Sequence, residues 1–176
     1  MPKMMMDRPT ARTLFRAFCV LLALAAAAAS YRPGAPEAIA ADGSATAEQA
    51  RVTRLVIETG GGAVAFQVEL AVTPSELVRG LQDRRHLAPD AGMLFDFGPE
   101  RIITMWMKNT YIPLDMLFID AGGIVADIAE RTEPLSLETI ASPVPVRAVL
   151  EVNAGTAQRL DIRPGDRVRH PIFATR

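Results

Sequence analysis

The chain has 176 residues, with 19 Arg and Lys against 20 Asp and Glu and a formal net charge of −1. That length bounds it to one or two small domains, and the balanced charge disfavours a nucleic-acid partner, because neutralising phosphates takes dense positive charge. A lone cysteine, Cys19, excludes a disulfide framework.

Residues 1–50 carry Lys3, Arg8, Arg12 and Arg16, then an apolar run from Phe18 to Ala29, then small and polar residues. A basic start, a short apolar core and small residues after it predict a signal peptide followed by a polar linker. Cleavage after Ala29 and cleavage after Ala40 both fit. The run is shorter than the ~20 apolar residues of a bilayer-spanning helix, so membrane contact is expected only through the export signal. The expected location is periplasmic or secreted. Residues 51–176 then form a single β-rich domain with 14 Arg and Lys, 16 Asp and Glu, and no cysteine. Such a domain holds together by packing alone.

Within that body, Arg54–Glu58 and Val64–Leu70 alternate around Gly60-Gly61-Gly62, which predicts a β-hairpin. Thr73-Pro74-Ser75-Glu76 has the residues of a capping box with Pro at the first helical position, predicting a helix to about Leu81. Gln82–Asp90 reads as loop. Met93–Phe97, ending at Gly98-Pro99, reads as a strand, as do Ile102–Met107, Leu114–Ile119 and Ile124–Ala129, with turns at Asn109-Thr110 and Asp120–Gly123. Glu133–Val146 holds Pro134, Pro143 and Pro145 and reads as a long loop. Arg147–Val152 is a strand, Asn153–Leu160 a turn and short helix, Arg163–Asp166 a turn, and Arg167–Phe173 a closing strand. The expected fold is mainly β: an antiparallel β-sandwich or partly closed barrel of about eight short strands with one or two short helices.

Several blocks fall in a distinctive order: Gly92-Met93-Leu94-Phe95, Trp106-Met107-Lys108-Asn109-Thr110, Ile112-Pro113-Leu114-Asp115, Leu150-Glu151, Ala154-Gly155 and Gly165-Asp166. Together they resemble domain-of-unknown-function family 192 over about Val64 to Val168. The resemblance implies a small, mostly β, sandwich-like domain of a kind often exported in bacteria, and it implies no activity. In that family Gly80-Leu81 is normally followed by Met, whereas here Gln82 takes the place.

The Trp106–Asp115 block gathers a cation, an amide, a hydroxyl and a carboxylate, and it contains the only Trp and the only Lys after residue 3. In a body with thirteen Arg, a single Lys suggests a place too narrow for a guanidinium. The bend at Asn109–Pro113 is expected to bring Lys108 to Asp115, with Glu151 as a second candidate partner. The pair either pins the bend or belongs to a site. Trp106 is expected in the core with its N–H satisfied, the alternative being an exposed ring beside Lys108. The candidate ligand-binding set is Trp106, Lys108, Asn109, Thr110, Asp115 and Glu151, with no catalytic residue assigned.

No metal or cofactor is expected. Met93, Met105, Met107 and Met116 would suit Cu(I), but no Cys or nearby His helps them, and core filling is the expectation. His86 and His170 are too few for a three-His zinc site. No Gly-x-Ser-x-Gly elbow occurs. The leading expectation is an exported, non-enzymatic domain that binds a small molecule or an envelope protein. The alternatives are a hydrolase of saccharide or envelope material using Asp115 or Glu151, and a purely structural or interaction domain.

Overall fold

The computed structural model describes residues 52–174, so the signal peptide and linker expected over residues 1–50 lie outside the described residues. Nine strands occur among them: β1 Val52–Thr59, β2 Gly62–Ala71, β3 Ala91–Arg101, β4 Thr104–Met105, β5 Leu114–Ile119, β6 Val125–Thr132, β7 Ile140–Ala141, β8 Val146–Asn153 and β9 Arg167–Arg169. Two short helices, α1 Pro74–Arg79 and α2 Thr156–Arg159, interrupt them. Seven strands form one sheet in the order β6-β5-β8-β3-β2-β1-β9, while β4 and β7 pair separately.

The main sheet curls until its two edges meet. Ile124 forms an antiparallel bridge with Arg167, Val168 N–H donates to the Gly123 carbonyl at 2.7 Å, and Val125 N–H donates to the Asp166 carbonyl at 2.9 Å. Gly123 has φ 77°, and a Cβ there would lie 2.7 Å from the Val168 carbonyl oxygen. Only glycine permits this approach. The result is the partly closed, mainly β architecture expected from the spacing of turns.

Alternation gives the sheet two apolar faces. Leu55, Ile57, Phe66, Val68, Leu94, Leu117, Leu150 and Val152 fill the inside of the curl. Met93, Phe95, Leu114, Met116, Phe118 and Val149 lie on the opposite face, under Leu81, Leu87, Ile103 and Met107 from the connections. Strand β5 is buried on both faces, which explains why it is apolar at every position except Asp115.

Four local expectations need correction. First, β2 and β3 are parallel, from Gln67↔Ala91 to Ala71↔Phe95, so the sheet is mixed rather than antiparallel throughout. A parallel pair needs a crossover, and residues 72–90 provide it by carrying α1 over the sheet. The helix begins as expected: Thr73 accepts from Glu76 N–H, and the Glu76 carboxylate accepts from the Thr73 backbone. Second, β3 continues past Gly98-Pro99 to Arg101, because Gly98 at φ 76° absorbs an irregularity between Asp96 and Arg101. Third, Ile102–Met107 pairs only through Thr104–Met105; the chain then turns, with Thr110 N–H donating to the Met107 carbonyl and Asn109 at φ 55°. Fourth, the last strand stops at Arg169. Pro171 lacks an N–H, and His170 Nδ1 accepts from Ile172 N–H to start a 3-10 turn.

Candidate functional site

The recess above Glu151 is built by the crossover and the Trp106 loop. Glu151 lies in the middle of β8, directly opposite Met93 of β3 and Met116 of β5. Directly opposed residues share a face, so its side chain points to the apolar face covered by the connections. Leu77, Val78, Arg79, Gly80, Leu81 and Gln82 form one wall. Met105, Trp106, Lys108 and Thr110 form the other, with Phe95 below, around a narrow recess that opens to solvent and encloses room for about one water. Asn109 ties the walls together: its amide donates to Gln82 Oε1 at 3.2 Å, its carbonyl accepts from Asp83 N–H at 2.8 Å, and Gln82 Nε2 donates to the Val78 carbonyl at 2.7 Å.

Glu151 is 4 % exposed, and no group among the described residues hydrogen-bonds to or pairs with its carboxyl. Burial alone pushes its pKa up from the usual 4.5 to about 8, because the charged form has lost most of its water and gained no charged partner. At neutral pH it is therefore a neutral acid, able both to donate and to accept a hydrogen bond.

Trp106 is 47 % exposed, not a core residue as expected, and its ring lies 5.3 Å from the Lys108 ammonium. That contact is a cation–π pairing at the mouth of the recess. The strand ends at Met105, so Trp106 leaves the sheet, and the core position beside it goes to Met107. Met93, Met107 and Met116 are buried in the apolar cluster, with Met105 half-buried against it. His170 is buried, with Nε2 2.8 Å from Thr53 Oγ1, and His86 is exposed.

The expected Lys108–Asp115 pair does not form. Asp115 is opposite Val152, one step from the Met116–Glu151 row, so it faces the inside of the curl. It is fully buried. Oδ1 accepts from Arg131 N–H at 2.8 Å and Gly155 N–H at 3.1 Å, and Oδ2 accepts from Ala157 N–H at 2.9 Å. Two of these donors open α2, whose own N-cap, Gly155, has no side chain to cap it. The third belongs to Arg131, held at φ 52° in the irregular stretch of β6. Asp115 thus serves backbone donors, and the bend leaves Lys108 on the other face.

Of the six candidate residues, Trp106, Lys108, Thr110 and Glu151 line one recess, Asn109 braces its rim, and Asp115 lies apart. Sequence reasoning missed the α1 wall, with Leu77, Val78, Arg79 and Gln82. A signal was present: Leu77 and Val78 are apolar residues on a helix too short for a core of its own. The isolation of Glu151 between Leu150 and Val152 was likewise a sign of burial.

The profile of domain-of-unknown-function family 192, described as uncharacterized ACR, matches residues 55–170. The chain belongs to domain-of-unknown-function family 192. Two solved structures of similar proteins agree with the family 192 fold. One, from Sinorhizobium meliloti, carries a provisional description as a transcription regulator; it is 52 % identical, with 66 % of this chain and 91 % of that chain covered and a TM-score of 0.65. The other, a Novosphingobium aromaticivorans protein of unknown function, is 37 % identical, with 68 % and 85 % covered and a TM-score of 0.66. No curated protein matches the family 192 chain.

Proposed function

We propose that this family 192 domain binds a small ligand in the recess over Glu151, in the periplasm or the secreted fraction. The observation that carries this reading is the Glu151 carboxyl, which has no protein partner and whose oxygens keep slight exposure where the recess reaches the sheet. A carboxyl shielded from most of its water costs stability, and Leu or Met would fill the same place without that penalty. Such a polar group, at the end of an opening lined by both apolar and polar side chains, suits a ligand that completes its hydrogen bonds. Export is supported by the basic, apolar and small-residue pattern of residues 1–50.

Hydrolysis by a carboxylate pair has less support, since Glu151 is the sole acidic residue among those lining the recess. Nucleic-acid binding has less support, because the body carries 16 acidic against 14 basic residues.

NMR of the purified protein against a collection of sugars, amino acids, nucleotides and organic acids tests the proposal. At least one compound is expected to shift the Trp106 indole N–H and the Lys108 and Glu151 resonances saturably, with the effect lost in Lys108→Ala. Shifts confined to surfaces away from the recess, or no saturable shift from any compound, would overturn it.

A further inference from the structure

The charges around the recess restrict what enters it. Arg79 and Lys108 are its basic lining residues, and both are exposed at its mouth. Neither is in an ion pair: the Lys108 ammonium rests over the Trp106 ring, and the ion pairs of the described residues engage Arg84, Arg147, Arg163 and Arg169. Below them the walls combine apolar Leu77, Leu81, Phe95 and Met105 with polar Thr110 and Gln82. Glu151, the one acid in the lining, is neutral at pH 7 because burial holds its pKa near 8. It is flanked on the sheet by Met93 and Met116, and the nearest carboxylate along β5, Asp115, faces away into the curl. The recess therefore presents positive charge at the mouth, largely uncharged walls within, and an uncharged carboxyl at the bottom.

We infer that the recess selects a small organic anion with an apolar body, such as an aryl or medium-chain carboxylate. This rests on the ligand-binding reading of the same site. The anionic head sits at the mouth between Lys108 and Arg79, where two unpaired cations lower its energy and steer its approach. The body lies over the exposed Trp106 ring and the rim at Met105 and Leu77, because the enclosed part of the recess has room for little more than a hydroxyl. A hydroxyl or carbonyl at the far end of the ligand would meet the Glu151 carboxyl, which can donate to it or accept from it. A ligand amine meets the opposite arrangement, because it must pass two cations to reach a carboxyl that carries no charge.

Three probes that differ only in the head group test the inference: phenylpropionate, phenylpropylamine and phenylpropanol, titrated at pH 7 into the purified protein. Trp106, the only Trp in the chain, reports binding by its fluorescence, and calorimetry gives the affinities. Phenylpropionate is expected to bind about tenfold or more tightly than the alcohol, and the amine most weakly. Lys108→Gln and Arg79→Gln should each remove most of the carboxylate's advantage over the alcohol. Both side chains are exposed, and circular dichroism checks that the variants fold. An amine that binds as tightly as the carboxylate overturns the inference, as does an alcohol that does so. In either case the recess still binds, and the ligand-binding reading stands. If none of the three binds, the anion class fails, and the broader NMR collection decides separately whether the recess binds anything.

Discussion

Asp115→Ala should lower the unfolding free energy by about 4 kcal/mol, the largest loss expected from any single polar side chain here. Three backbone N–H groups, from Arg131, Gly155 and Ala157, depend on this carboxylate. Removing it leaves three donors without acceptors, the Ala157 N–H fully buried and the other two part-buried, and an orphaned buried donor costs about 1–3 kcal/mol. It also uncaps α2, so the Asn153–Leu160 connection loses its anchor to β5. Asp115→Asn should recover only part of the loss, because one of its amide positions is itself a donor facing a donor. Urea denaturation of the three proteins measures the effect. Lys108→Ala serves as the contrast: its ammonium makes no contact with Asp115, so it should change stability by less than about 1 kcal/mol. Near-native stability of Asp115→Ala would show that these backbone donors find water or other partners.

Glu151→Gln should change the pH dependence of stability more than any other single substitution in the recess. The folded-state pKa, about 8, lies above the usual 4.5. Below the lower value both folded and unfolded chains hold the proton, and the contribution of Glu151 is fully present. As pH rises toward the higher value the unfolded chain releases its proton while the folded chain keeps it, so stability falls. From about pH 5 to about pH 8 this removes on the order of 3 kcal/mol from the wild-type protein. Glutamine cannot ionise, so the variant should lack this decline and be the more stable protein at alkaline pH. Melting temperatures of both proteins across that range read it directly. Parallel profiles would mean that the carboxyl is hydrated or paired in solution.

Much of the architecture was legible because it follows from local rules. The Gly60-Gly61-Gly62 hairpin, the Thr73 capping box, and the alternation of Val64, Phe66, Val68 and Leu70 each depend on neighbouring residues. The parallel pairing of β2 with β3 was not legible in this way. It depends on where the 72–90 crossover lands, and alternation reads the same whichever direction a neighbouring strand runs. The site was legible in part for the same reason. The Trp106–Asp115 block stood out by its chemistry, and four candidates do meet in space. What failed was the expectation that closeness in sequence across a bend brings Lys108 to Asp115. Asp115 sits on β5, where neighbouring positions face opposite sides of the sheet, and its face is turned toward α2. Glu151 was proposed as a partner for charge; its significance in the fold is that it has none.

The neutral state of Glu151 is the claim on which the recess, its ligand and its pH behaviour all rest. Selective labelling of glutamate carboxyl carbons, with Glu151→Gln to assign the signal, allows its titration to be followed by NMR in the ligand-free protein. A midpoint near 8 is the predicted result. A midpoint at the usual 4.5 would contradict the account, because it would mean a charged, solvated or paired carboxylate where the structure has an isolated acid.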